Sequence, residues 1–134
     1  MNSTLQCLLQ FDAVTDDILL LIKMILHRPK KHHSDKERKW RKLTVARGMD
    51  VCDATSRLLF SLCDVAEGEG DHLKTASVQE ALDAVELLRA YLQDESMDGT
   101  DEWLNYVIDA AESSLDQTER VFKSIIECDD ETES

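Results

Sequence analysis

Leu8, Phe11, Thr15, Ile18, Ile22 and Ile25 recur at alternating steps of three and four, and a segment patterned this way hides its apolar side chains only as a helix laid against other helices. The spacing predicts a first helix over about 3–27. Leu5, Leu19, Leu20, Leu21 and Leu26 widen its apolar surface beyond one stripe. This helix is therefore expected either to be central in the fold or to face a second subunit as well. Pro29 ends it, since the ring removes a donor and disfavours helical geometry at the residue before it.

Three further helices follow from the same reasoning. Ser34 with Glu37 reads as a capping box that opens a second helix over 35–67, carrying Trp40, Leu43, Val45, Met49, Cys52, Leu59, Leu62, Cys63 and Ala66 and stopping before Gly68 and Gly70. Unbroken, it would span about 50 Å. Gly48 marks the expected place for a bend or break, and the first turns are expected to project beyond the bundle. Ser77 with Glu80 reads as a second capping box opening a third helix over 78–95, with Val78, Ala81, Leu82, Val85, Leu88 and Leu92 inward. After a turn at 97–100, a fourth helix over 101–127 has Trp103, Leu104, Val107, Ile108, Ala111, Leu115, Thr118, Phe122 and Ile125 on its inner side. Residues 128–134 read as an acidic, disordered tail.

One Pro and four Gly in 134 residues leave few breaks, and no stretch alternates as a strand would. Four amphipathic helices on short connections bury their faces against one another. The expected fold is all-α: one domain over 1–127, an antiparallel up-down-up-down four-helix bundle with a long second helix.

The same residues argue against several kinds of chemistry. The longest continuous apolar run, Ile18 to Ile22, falls far short of the roughly 20 residues of a membrane span, and no basic region followed by an apolar core announces a secretory signal. Cys7, Cys52, Cys63 and Cys128 spell no CxxC pair and are expected as reduced thiols in a cytoplasmic protein. His27, His32 and His33 cluster beside Arg28, Lys30 and Lys31, whose charge opposes a cation, and no Glu is followed by His at the spacing of a di-iron bundle. Gly68 and Gly70 sit among Glu67, Glu69 and Asp71, which repel a phosphate. No catalytic residue, metal ligand or cofactor is predicted.

Charge supplies the positive signals. The formal net charge is −13, yet residues 1–47 carry ten Lys/Arg against five Asp/Glu, while 48–134 carry five against twenty-three. Between Arg28 and Arg47 stand Arg28, Lys30, Lys31, Lys36, Arg38, Lys39, Arg41, Lys42 and Arg47, with Trp40 in the midst. Such a cluster suits a phosphate backbone, with Trp40 available to stack on a base or to pack on the bundle. Arg38, Lys39, Trp40, Arg41 and Lys42 are the candidate nucleic-acid contacts. Asp109, Glu112, Asp116 and Glu119 on the fourth helix, and Glu80, Asp83 and Glu86 on the third, repeat at steps of three and four. They are candidate contacts for a basic protein partner, because like charges so spaced repel and almost no Lys or Arg nearby relieves them.

The helix lengths, the Val65-Ala66-Glu67-Gly68 turn and the Leu82, Val85, Leu88, Leu92 stripe resemble the four-helix-bundle family of ribosomal-RNA intervening-sequence proteins and accessory variability proteins of diversity-generating retroelements. That resemblance covers nearly the whole chain. It implies ring-like self-assembly and, from the retroelement members, binding to a reverse transcriptase and its template RNA. Those members are typically basic, so in this acidic chain the resemblance implies RNA contact through 28–47 and a protein partner held on the acidic faces. The expected function is a non-enzymatic, homo-oligomeric accessory or adaptor subunit of a nucleic-acid-associated complex. The competing expectation is an acidic inhibitor or nucleic-acid mimic that binds a basic target through the third and fourth helices.

Overall fold

A computed structural model describes residues 2–30, 34–94 and 100–127. Its elements are α1 (Asn2–Leu26), α2 (Asp35–Gly68), α3 (His72–Gln93) and α4 (Asp101–Phe122), the last running into a π-helical turn over Lys123–Glu127. Helices adjacent in sequence pack side by side, and α1 closes the ring against α4 with the least extensive contact of the four. The protein is an all-α antiparallel four-helix bundle, as the periodicity predicts. The expected tail, 128–134, lies outside the described residues.

The helix starts follow from side chains that satisfy orphan backbone donors. Ser34 Oγ accepts from Glu37 N at 3.1 Å, and Thr100 Oγ1 accepts from Trp103 N at 3.0 Å. The start of α3 differs from expectation. Asp71, not Ser77, is its N-cap, accepting from Leu73 N and Lys74 N, each at 3.1 Å. Ser77 lies one turn inside the helix and donates back to Leu73 O. An Asp followed by no Glu at the third helical position escaped a search for capping boxes, although a carboxylate alone caps as well. The end of α2 is a Schellman motif: Gly70 N donates to Glu67 O, Asp71 N donates to Ala66 O, and Gly70 takes the left-handed conformation at φ +72°.

In α1 the stripe that enters the core is Cys7, Val14, Ile18, Leu21 and Ile25, with Phe11 half-buried. This corrects the expected seam by about one residue: Leu8 is exposed and Thr15 and Ile22 only partly covered. Phe11 stacks on Phe122 of α4 with ring centroids 4.2 Å apart. Trp103 is fully buried, and its indole N–H donates to Tyr91 O at 2.7 Å, tying the start of α4 to the end of α3.

Gly48 does not break α2, which continues through it as one helix. A Cβ there would lie 2.6 Å from Leu92 Cδ1 and 2.9 Å from Leu92 Cδ2, so the glycine lets α2 and the end of α3 approach closely. Residues 35–47 continue past this crossing but are not bare. Glu37 and Thr44 are buried, and Trp40 rests on α1. Two outcomes check this account. Gly48→Val should cost roughly 1–3 kcal/mol through overpacking, and adding Leu92→Ala should recover part of the loss, read by urea denaturation. Asp71→Ala should cost about 1 kcal/mol in the same assay, while Ser77→Ala should cost much less.

Candidate functional site

The first turns of α2 carry the basic cluster, and the helical period divides it between two sides. Glu37, Thr44 and Gly48 point inward; Lys39, Lys42 and Ala46 lie on the opposite side of the helix and Lys36, Leu43 and Arg47 on its flank, all six exposed. Of the five candidate contacts, Lys39 and Lys42 stand on the outer face. Arg38 is exposed too, 3.5 Å from Asp35. Trp40 and Arg41 are turned the other way. The Trp40 indole N–H donates to Met24 O of α1 at 2.8 Å, so the ring packs on the bundle, the second of the two roles open to it. Arg41 is mostly covered and grips the Glu37 carboxylate at 2.7 and 3.4 Å.

The sequence points to Glu37 only as the third residue of a capping box. Its backbone N–H fills that role, but its side chain, 1% exposed, is the counter-ion of Arg41. The four-residue spacing of Glu37 and Arg41 signals such a pair. Lys36 and Arg47, members of the basic cluster outside the five candidate contacts, are exposed as well. Their orientation depends on which side of α2 is inward, and Glu37, charged and buried, gives no clue to that. Beyond the cluster, Arg28 meets Asp101 at 2.6 Å, joining the first connection to the start of α4.

The carboxylates of α3 and α4 do not share one face. Glu80, Asp83 and Asp116 border the groove between these helices, a shallow trough of about 560 Å³ at one end, where Ser77, Ser113 and Arg120 also line it. Glu86 leans towards α2 beside Arg89, which also holds Asp53 at 3.0 Å. The expected lack of basic relief is corrected for three residues: Arg89 meets Glu86 at 3.4 Å, and on α4 Arg120 meets Asp116 and Lys123 meets Glu119, each at 3.0 Å. Both α4 cations lie four residues beyond their acids, a spacing legible in the sequence. Among the described residues, Glu80, Asp109 and Glu112 make no ion pair.

Burial pushes the Cys52 thiol up to about 11. Burial, helped by Asp64, raises Cys7, and burial with Glu67 raises Cys63. These three cysteines are free thiols and stay protonated near neutral pH, the poorly nucleophilic form. His27 donates from Nδ1 to Lys23 O at 2.7 Å, capping the end of α1. Of its two clustered neighbours, His32 and His33, both lie outside the described residues, as do Lys31 and Cys128. Among the described residues no three of His, Cys, Asp and Glu converge as a metal site would require, and no helix is long and apolar enough to cross a membrane.

Comparison with protein-family models, curated proteins and solved structures finds no match to this chain. The indole anchorage makes a direct prediction. Trp40→Phe, which keeps an aromatic side chain but removes the donor and part of the ring's bulk, should cost about 1 kcal/mol of stability or more by urea denaturation.

Proposed function

We propose that this protein is a non-enzymatic accessory subunit of a nucleic-acid-associated complex: a self-associating bundle that meets a phosphate backbone through the first turns of α2. One observation carries the reading. Lys36, Lys39 and Arg47 flank the exposed Leu43 on α2, with Lys42 beside Lys39, on turns that outrun α3 and are anchored by Trp40 to α1. An anchored row of cations can follow a run of phosphates without first being ordered, so little of the electrostatic gain is lost to entropy. The strongly negative remainder of the molecule confines that contact to one end. The exposed leucines of α1 support the self-association.

The test is a titration with single-stranded RNA and duplex DNA across a range of salt. Lys39→Glu with Lys42→Glu should weaken binding and lower the slope of log K against log salt by about 1.5, two contacts at roughly 0.7–0.9 each. Arg41→Ala should reduce stability and leave that slope in place, since its guanidinium serves Glu37. Absence of binding by the unaltered protein at low salt would overturn the reading.

A second reading is favoured by the α3–α4 groove, where Glu80 and Asp116 line one stretch and Glu80 and Asp83 the next, among small side chains such as Ser113 and Ala110. Here the protein is an acidic inhibitor or mimic holding a basic protein. It expects no nucleic-acid binding, and salt-sensitive association with a cationic protein that Glu80→Lys combined with Asp116→Lys abolishes.

A further inference from the structure

α1 carries a second stripe on the side away from the core. Leu5, Leu9, Asp12, Asp16, Leu19, Lys23 and Leu26 follow one another at steps of four and three in strict alternation, the repeat of a coiled-coil seam. All seven are exposed, and the leucines strongly so: Leu5 57%, Leu9 61%, Leu19 51% and Leu26 67%. A lone surface leucine needs no explanation, but four in one seam, interrupted only by three charged residues, mark a face patterned for a partner helix. Asp12, Asp16 and Lys23 make no ion pair among the described residues.

The order of residues along the strip selects what covers it. In a parallel pair each residue faces its own copy, setting Asp12 on Asp12, Asp16 on Asp16 and Lys23 on Lys23. In an antiparallel pair the two kinds of seam position face each other, and one register satisfies every charged layer but the central one. Leu9 then faces Leu26, Asp12 faces Lys23, and Asp16 sits beside Leu19 at the centre. Sliding by one heptad in one direction sets Asp12 against Asp16; sliding in the other leaves Lys23 against Leu19 with no opposite charge.

We propose that the occupant of this face is a second copy of the chain, α1 against α1, antiparallel, in the register that pairs Asp12 with Lys23 and Leu9 with Leu26. The two-fold axis makes each of these contacts twice. The outer and inner stripes lie on opposite sides of α1, so the dimer forms without disturbing the bundle core. Because the start of α2 adjoins the end of α1, this arrangement turns the two basic ends in opposite directions and gives the assembly two separate phosphate-contacting ends. The inference rests on the self-association in the reading above and names its interface.

The test is a charge swap read by sedimentation equilibrium on the full chain, with circular dichroism as a check on folding. The unaltered protein should have twice the 15.2 kDa chain mass. Lys23→Asp alone and Asp12→Lys alone place like charges across the seam, and each should raise the dissociation constant by about tenfold or more. Asp12→Lys combined with Lys23→Asp should restore the dimer. A monomeric unaltered protein, a mass indifferent to the single reversals, or a swap that does not restore association overturns the proposal. The nucleic-acid titration keeps the two conclusions apart. A swap-restored dimer that binds no nucleic acid retains this interface and removes the phosphate contact, and nucleic-acid binding by a monomer retains the phosphate contact and removes this interface with the self-association.

Discussion

The close crossing of α2 and α3 at Gly48 and Leu92 governs the rest of the molecule. With no Cβ at Gly48, α2 lies directly against the end of α3 and remains one continuous helix through a position where glycine's backbone freedom could have broken it. Continuity matters because the turns before Gly48 carry the basic row. A break there would leave 35–47 as a loosely tethered segment whose cations would have to be ordered at each encounter. Instead Trp40 pins these turns to the last carbonyls of α1, and the Glu37–Arg41 pair fills their inner side. The cations left on the outer side inherit the rigidity of the bundle.

Charge is arranged along the molecule as well as across it. The end of α1, the first connection and the start of α2 form a basic end, while the far half of α2 together with α3 and α4 is acidic. Such a molecule presents an attractive end and a repulsive body to a polyanion, so orientation is selected before contact is made. Ion pairs within the acidic part, such as Arg120 with Asp116 and Lys123 with Glu119, are exposed and contribute little to stability. Their larger effect is to break up what would otherwise be a uniform acidic stripe on α4.

α1 shows how one helix serves two masters. Its inner stripe supplies Ile18, Leu21 and Ile25 to the core, and its outer stripe repeats the same spacing with leucines interrupted by Asp12, Asp16 and Lys23. An unbroken apolar outer stripe would accept many partners and many registers. Charges at seam positions cost affinity and specify alignment, which is why their order along α1 carries structural information.

The existence of four helices, their order and most of their ends could be read from period and punctuation, because the turn chemistry of Pro29, Ser34, Thr100 and the glycines near 68–70 is local. The charge polarity was equally legible, being a property of composition along the chain. What only the tertiary structure decided is which side of each helix faces in. α1 has leucines or isoleucines nearly all the way round, so its periodicity admits neighbouring phases, and contact with Phe122 and the other helices selects Cys7, Val14 and Leu21 over Leu8, Thr15 and Ile22. The same ambiguity governs α2, where one residue of rotation separates a cation on the surface from one locked to a buried carboxylate. Trp40 and Arg41 look inward and Lys36 and Arg47 outward because the bundle buries Glu37 and Thr44, a choice that belongs to packing between helices and not to any segment taken alone.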